Sequence, residues 1–217
     1  GELIWEEYQA AGIRVGKEEY RNAYVHGERS LAKAPIIEPV DTFRTLLQKK
    51  MKLQFDFLRD NLSASDFPAC KQEEVAQRCY ARVIDTLECT RSIVKELAAD
   101  YPLVLVTNFY GNMPVVLKEF SLGGHFKEII ESSVVGIRKP DPALFALGVK
   151  SLGFAPQETI VIGDSYRKDI YPSSSLGCRT VWLKKVCWAE EAIEPGHEPS
   201  AITDSLENIP DIISKLQ

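Results

Sequence analysis

Two carboxylates, Asp164 and Asp169, follow a short apolar run in the stretch TIVIGDSYRKDI. Carboxylate oxygens are hard ligands of the kind that Mg²⁺ prefers, and one or two suffice because Mg²⁺ retains several waters. Two other apolar runs lead into polar residues: LVLVTN ends in Thr107 and Asn108, and EIIESSVV leads into GIRKPDPALF with Lys139. A hydroxyl, an ammonium and a carboxylate that meet in one place could hold a phosphate group and neutralise its charge.

Each of these residues also has an ordinary structural role. An Asp between a strand and a helix is commonly an N-cap, and a Thr at a strand end is a good β-former. Lys139 lies in a predicted loop, which by itself predicts that Lys139→Ala changes stability by no more than about 0.5 kcal/mol. The residues favour a shared functional site because they follow successive predicted strands in this order.

Residues 86–217 predict an α/β domain. Apolar, β-branched runs begin at 103, 128, 159 and 179, and helical patterns lie near 113–121, 141–152, 166–176 and 205–215. Strands that alternate with helices predict a doubly wound parallel sheet with right-handed crossovers. Ligands bind beyond the carboxyl ends of the strands in such sheets, so Thr107, Lys139 and Asp164 are predicted to converge on one edge.

Residues 1–85 have apolar side chains mostly at helical spacing and predict an all-helical domain. Residues 189–200 are predicted to form a polar loop. The aromatic residues Trp5, Tyr8, Tyr20 and Tyr24 are expected to serve helix packing rather than a substrate pocket.

Composition limits the function classes. The 217 residues carry a net charge of -5 without a basic block, which argues against nucleic acid as a partner. The five cysteines are odd in number and form no CxxC pair, which argues against a disulfide framework or a zinc site and indicates a cytoplasmic protein. No apolar run approaches the roughly 18 residues that a membrane span needs.

The three motifs resemble those of the haloacid dehalogenase-like hydrolases, most of which are magnesium-dependent phosphatases. LVLVTN is similar to the second motif of the family, GIRKPDPALF to the third and VIGDSYRKDI to the fourth. The resemblance implies that Thr107 and Asn108 bind the transferred phosphoryl group and that Lys139 balances its charge. It also implies that Asp164 binds Mg²⁺ and that Asp169 supports the metal site directly or through water.

The first motif of that family, a strand that ends in DxDxT and carries the attacking aspartate, has no match here. LQFDFLRD around Asp56 lies in a helical pattern, and Asp85 has no second Asp two residues later. We therefore expect the first core strand to lie upstream of Gly1, and at the centre of the sheet between the strands at 103–108 and 159–164. The helical half would be the cap that the family inserts after this strand.

The resemblance implies a Mg²⁺-dependent hydrolase of a small phosphorylated metabolite that works through an aspartyl-phosphate. In this interpretation Lys139 and Thr107 are catalytic, and Asn108 joins them in binding the substrate. Two alternatives stay open: a non-catalytic relative that binds a phosphorylated ligand or a protein, and a phosphosugar mutase of the same family.

Overall fold

The computed structural model describes residues 1–33, 35–62, 64–185 and 192–216, with residue 64 described by its backbone only. The chain divides into two compact units. The first comprises residues 1–87 and 110–120, and the second comprises residues 88–109 and those from 121 onward. No helix of the described residues is long and apolar enough to cross a membrane.

The first unit is helical, as the apolar spacing predicts. Its helices are α1 (Glu2–Ala10), α2 (Lys17–Lys33), α3 (Phe43–Asn61), the first part of α4 (Ala69–Asp100) and α5 (Met113–Glu119). Helix α3 begins where the Thr42 hydroxyl accepts a hydrogen bond from the Thr45 N–H at 3.1 Å, which satisfies one of the unpaired donors of the first turn.

Aromatic side chains form much of the core of the helical unit. Tyr8 and Tyr20 are fully buried with ring centroids 5.0 Å apart, and Phe55 of α3 lies 5.4 Å from Tyr8. The Tyr8 hydroxyl donates to the buried Gln54 side chain at 3.0 Å, so burial leaves it paired. For Tyr8 and Tyr20 the helix-packing role is therefore confirmed.

The helical unit differs in extent from the predicted domain of residues 1–85. Helix α4 continues through residue 85, and the segment 110–120 belongs to the helical unit. The attachment of this segment is specific, because Glu119 accepts hydrogen bonds from the Tyr80 hydroxyl and the Phe43 N–H, and the Phe120 ring packs edge-on against Phe43.

The second unit alternates strands and helices. Its strands are β1 (Val104–Thr107), β2 (Glu128–Glu131), β3 (Ile160–Gly163), β4 (Arg179–Leu183) and β5 (Ala201–Thr203). Its helices after α4 are α6 (Ser132–Val135), α7 (Pro142–Leu152), α8 (Tyr171–Ser174) and α9 (Ile209–Leu216). The short helical turns are Pro156–Glu158, Tyr166–Ile170 and Leu206–Asn208.

The strand pairs are all parallel among the described residues, which confirms the predicted fold class. Strand β1 pairs with β2, and β4 lies between β3 and β5.

Helix α7 packs closely on β1, because a Cβ placed on Gly148 would lie 2.8 Å from Cγ2 of Val106. The first α7 turn starts at Pro142 after the N-cap Asp141, and the helix ends at Leu152, before the C-cap Gly153, whose φ of +83° suits glycine.

An apolar groove separates the two groups of strands. Within the described part of the chain, no strand pairs with the second edge of β1 or of β3. Residues of both strands, among them Val104, Val106, Ile160 and Ile162, line a cavity of about 280 Å³ there. Ile162 remains 37% exposed, which is unusual for a strand residue of an α/β core. The groove is compatible with the expected central strand, which stays a prediction.

Three local expectations need correction. EIIESSVV forms a strand only over Glu128–Glu131, and the remaining residues form α6, which is followed by the C-cap Gly136 in the left-handed conformation. The helix expected near 166–176 begins as the π-helical turn Tyr166–Ile170 before α8. Strand β5 was not predicted.

Residues 192–200 form the predicted polar loop, whereas 189–191 and Cys187 lie outside the described residues.

Candidate active site

The carboxyl end of β3 carries the first predicted metal ligand. Asp164 directly follows Gly163, the last residue of the strand, and its position is exposed. The turn that follows folds tightly over the strand end, since a Cβ on Gly163 would lie only 2.2 Å from Cβ of Asp169. Glycine is therefore required at 163 to bring the two carboxylates together.

Asp169 is buried, with 5% exposure, and both of its carboxylate oxygens have hydrogen-bond partners. Oδ1 accepts from the Lys139 Nζ at 2.7 Å, and Oδ2 accepts from the Ser165 N–H at 3.1 Å. A buried carboxylate held in this way balances the lysine charge and orients its surroundings. Asp164 is the more accessible of the two carboxylates for a metal ion.

Lys139 is held from two sides. Its side chain is only 15% exposed and forms the ion pair with Asp169. Its main chain is clamped by Asn108, whose Oδ1 accepts from the Lys139 N–H at 2.8 Å and whose Nδ2 donates to the Lys139 carbonyl at 3.1 Å. Lys139 is therefore not the surface-like residue that its loop position by itself predicts, because Asn108 binds its main chain and Asp169 pairs with its side chain.

Asn108 thus positions the lysine, and these two bonds engage its amide group. Its predicted contact with the phosphoryl group stays a prediction. Thr107 ends β1, opposite Glu131 of β2. Within the described residues the Thr107 hydroxyl has no hydrogen-bond partner, so it is available to a ligand.

The electrostatics of the carboxylate pair favour a cation. Partial desolvation, followed by the negative charge of Asp169, raises the pKa of Asp164 above its ordinary value. The position of Asp164 is exposed, so the effect of desolvation is modest and the like charge of Asp169 is the more telling cause. A divalent cation at Asp164 would relieve this repulsion.

The donor set fits Mg²⁺ better than a transition metal. Among the described residues, no group of three or more His, Cys, Asp and Glu side chains could hold a metal ion, so an all-protein cage is absent there. Mg²⁺ is commonly bound by one or two carboxylates together with water and phosphate oxygens. Asp164 as ligand, with Asp169 orienting the turn, meets that requirement.

Asp56 and Asp85, whose surroundings partly match the first motif in sequence, both lie in helices. Asp56 is inside α3, where it forms ion pairs with Lys52 at 2.6 Å and with Arg59 at 3.0 Å, and Asp85 is inside α4. Neither follows a strand. Sequence reasoning missed Gly163 and Ser165 as parts of the site, although the adjacent letters G-D-S signalled a tight turn after a strand.

The fold and the site together define a doubly wound α/β protein in which a lysine and a pair of carboxylates meet at the carboxyl end of β3. A family model described as haloacid dehalogenase-like hydrolase matches residues 2–172, and a second, related model matches residues 136–209. The chain belongs to the haloacid dehalogenase-like hydrolase family.

Curated relatives match parts of the chain. A phosphoserine phosphatase of Thermus thermophilus is 36% identical over 87 residues, which cover 38% of this chain and 34% of that protein. A phosphoglycolate phosphatase of Pectobacterium atrosepticum is 31% identical over 152 residues, which cover 65% of this chain and 63% of that protein. The chain thus spans about a third of the first relative and less than two thirds of the second.

The fold likeness extends over nearly the whole chain. The crystal structure of a dehalogenase superposes with a TM-score of 0.61 and 14% identity, covering 97% of this chain and 89% of the other. At this identity the comparison concerns the fold alone.

Proposed function

We propose that the protein is a Mg²⁺-dependent hydrolase of small phosphate monoesters that works through an aspartyl-phosphate intermediate. The observation that carries this proposal is the contact of Lys139 with Asp169, at 2.7 Å, beside the accessible carboxylate of Asp164 at the end of β3. A cation and a pair of carboxylates at one strand end suit a metal-bound phosphate better than a neutral ligand.

The residues of the chain have distinct tasks in this proposal. Asp164 holds Mg²⁺, which when bound would neutralise charge on the phosphate oxygens. The Thr107 hydroxyl donates a hydrogen bond to a phosphate oxygen, and the Lys139 ammonium balances the charge of the phosphate and of the attacking group. Asp169 holds that ammonium in place, and Asn108 holds the lysine backbone.

The attacking aspartate is proposed to come from an extended segment in the groove between β1 and β3. Each of these strands pairs in parallel with its own neighbour, and within the described residues no strand pairs with the edge that each turns to this groove. A segment parallel to them would end at the same edge as Thr107 and Asp164, so an aspartate at its carboxyl end would face a phosphate bound there. In-line attack forms a bond between the aspartate oxygen and phosphorus as the bond from phosphorus to the alcohol oxygen breaks, and that oxygen takes up a proton from water. A second water then hydrolyses the aspartyl-phosphate, which releases phosphate and restores the aspartate.

The substrate class is proposed from the relatives together with the site. The two curated relatives are named for phosphoserine and phosphoglycolate, both small phosphate monoesters. Thr107, Lys139 and Asp164 address a phosphate group and no particular leaving group, so the assay panel varies the alcohol.

The test is release of phosphate by the full-length protein, with Mg²⁺ and with EDTA, on a panel that includes phosphoserine and phosphoglycolate. We expect Asp164→Asn to abolish turnover because a neutral amide replaces the anionic ligand. Asp204→Asn is the matched control, since Asp204 is also an exposed aspartate that directly follows a strand, β5. Its turnover should equal that of the parent.

Equal turnover of the parent and Asp164→Asn would contradict the proposal. A protein that binds Mg²⁺ but releases no phosphate from any monoester would instead favour the non-catalytic alternative. Isomerisation of a sugar phosphate without net release of phosphate would favour the mutase.

A further inference from the structure

The peptide group between Asp164 and Ser165 is held at both of its ends. The last pair of the β3–β4 ladder is Gly163 with Trp182, so Asp164 lies one residue beyond the ladder. Its carbonyl nevertheless has a donor, because the indole N–H of Trp182 reaches it at 3.1 Å. On the other side of the same peptide group, the Ser165 N–H donates to Asp169 at 3.1 Å.

This double restraint limits the directions in which the Asp164 side chain can point. The plane of a peptide group is rigid, so fixing its carbonyl and its N–H fixes the direction of the preceding Cα–Cβ bond to within the remaining freedom of ψ. Without the indole, the carbonyl would lack this partner at the end of the ladder, and the turn could rotate to find water. The indole N–H of Trp182 therefore replaces the backbone N–H that a further residue pair of the ladder would supply.

Trp182 is itself immobilised. It is 2% exposed and forms a small buried cluster with Tyr166 and Ile170, with the Trp182 and Tyr166 ring centroids 5.6 Å apart. The Lys184 ammonium lies 4.9 Å from the indole ring centroid. Because the ring is packed on the turn that carries Asp169, the donor cannot move away without disturbing that turn.

We infer that Trp182 is a positioning residue of the site: through its indole N–H it fixes the Asp164–Ser165 peptide group and so orients the Asp164 carboxylate for a divalent cation. The cation part rests on the proposed function. Partners that orient a metal ligand commonly change metal affinity by 10-fold to 100-fold when they are removed, so about tenfold weaker Mg²⁺ binding is expected without the N–H.

The variant that isolates the N–H is Trp182→Phe, which keeps an aromatic ring against Tyr166. An isosteric version replaces Trp182 with benzothienylalanine, in which sulfur stands for the N–H and the shape is retained, so it also serves if Trp182→Phe folds poorly. Tyr166→Phe is the matched control. It removes a hydroxyl of the same cluster that donates to the His197 carbonyl at 3.1 Å and accepts from the Glu194 N–H at 2.8 Å. These contacts do not involve the Asp164–Ser165 peptide group.

Two measurements are needed, neither of which depends on turnover. The first is Mg²⁺ affinity by titration calorimetry with Mg²⁺ as the probe. The second is hydrogen exchange of the Ser165 amide in metal-free protein. We expect the Trp182 variants to bind Mg²⁺ about tenfold more weakly and to exchange the Ser165 amide faster. Tyr166→Phe should keep the Mg²⁺ affinity of the parent and loosen only the loop that contains Glu194 and His197.

Unchanged Ser165 exchange and unchanged Mg²⁺ affinity in the benzothienylalanine protein would overturn the inference. An equal loss of affinity in Tyr166→Phe would do the same, because the effect would then reflect general loosening of the cluster. The parent protein could also fail to bind Mg²⁺ while the Trp182 variants exchange the Ser165 amide faster. This result would support the positioning role of Trp182 and reject the metal assignment of the proposed function.

Discussion

Asp164 and Asp169 differ in their partners, and this difference separates their roles. Asp169 is buried and both of its oxygens are engaged by Lys139 and Ser165. Asp164 is exposed, and its pKa is raised by partial desolvation and by the charge of Asp169. The Asp169 carboxylate therefore serves the structure of the turn. The Asp164 carboxylate is repelled by Asp169 when it is ionised, and a bound cation would offset this repulsion.

Asp164→Asn should therefore weaken Mg²⁺ binding without destabilising the metal-free protein. The amide removes the repulsion between the two carboxylates, so the unfolding temperature in EDTA should equal or exceed that of the parent. Thermal unfolding with EDTA and with excess Mg²⁺ measures both effects, since only a binding-competent protein is stabilised by the ion. A variant that is clearly less stable in EDTA would show that Asp164 has a structural role.

Lys139→Ala is expected to destabilise the protein by about 3–5 kcal/mol, because it leaves Asp169 buried without its cation. This corrects the value of at most about 0.5 kcal/mol that the loop position predicted. The Lys139 and Asp169 side chains are only 15% and 7% exposed, so solvent screening is weak. Denaturant unfolding gives the free energy.

Two further variants make this measurement decisive. Lys150→Ala removes an exposed lysine of α7 in the same unit and should change stability little. Lys139→Met combined with Asp169→Asn removes both charges and should recover part of the loss. If the double variant were as unstable as Lys139→Ala, the ion pair would not be the cause.

At the scale of the helices, an ion pair joins α2 and α3 in the helical unit. Glu28 of α2 contacts the Lys50 ammonium of α3 and accepts a hydrogen bond from the Tyr110 hydroxyl at 2.9 Å. Burial alone would raise the pKa of Glu28, but the charge of Lys50 and the hydrogen bonds outweigh it and lower the pKa below 4.5. The folded state thus favours the ionised form.

The stability from Glu28 should consequently depend on pH in a definite direction. A lowered pKa contributes stability above the ordinary value of 4.5, and this stability is lost as the pH falls through the folded-state pKa. Glu28→Gln should cost about 1–3 kcal/mol at pH 7, and the difference from the parent should shrink below about pH 4.5. Denaturant unfolding across this pH range measures it.

Glu18→Gln is the control for this experiment, because Glu18 is an exposed residue in the first turn of the same helix. It should show only a small effect of either sign. A loss in Glu28→Gln that stays constant from pH 7 to acid would mean that shape rather than charge carries the contribution of Glu28.

At the scale of the whole molecule, the groove between β1 and β3 should accept an extended apolar peptide. In the described part of the chain no strand pairs with these two edges, so their N–H and C=O groups would gain ladder partners, and each unmet buried group costs about 1–3 kcal/mol. A peptide of about six apolar, β-branched residues that ends in Asp should therefore bind to the protein of residues 1–217. At one hundred times its Kd it should add about 2.7 kcal/mol to the stability.

The control peptide has Pro at its central position, which removes one ladder N–H and disfavours a central strand. It should leave the unfolding temperature unchanged. Exchange of the β1 and β3 amides should slow with the first peptide only. Equal stabilisation by both peptides would indicate nonspecific apolar binding and would count against the central-strand prediction.

The sequence alone determined the order of the first four strands of the second unit and the polar residues at the strand ends, but neither α6 nor β5. These features are local: β-branched runs, turn residues and helix caps act over a few neighbours in the chain, so β1, β3 and α7 could be predicted from it. The motifs also sufficed for the family, because the residues that carry them are adjacent in sequence.

Only the tertiary structure decided how those residues are used. Lys139 meets Asp169 across 30 positions of the chain, Asn108 holds the Lys139 backbone across 31, and Trp182 reaches the Asp164 carbonyl across 18. Such contacts depend on sheet register and on close packing at Gly163, which no periodicity in the sequence encodes. For this reason Lys139 is a partly buried ion-pair partner rather than a surface residue, and Asp164 is the more accessible carboxylate.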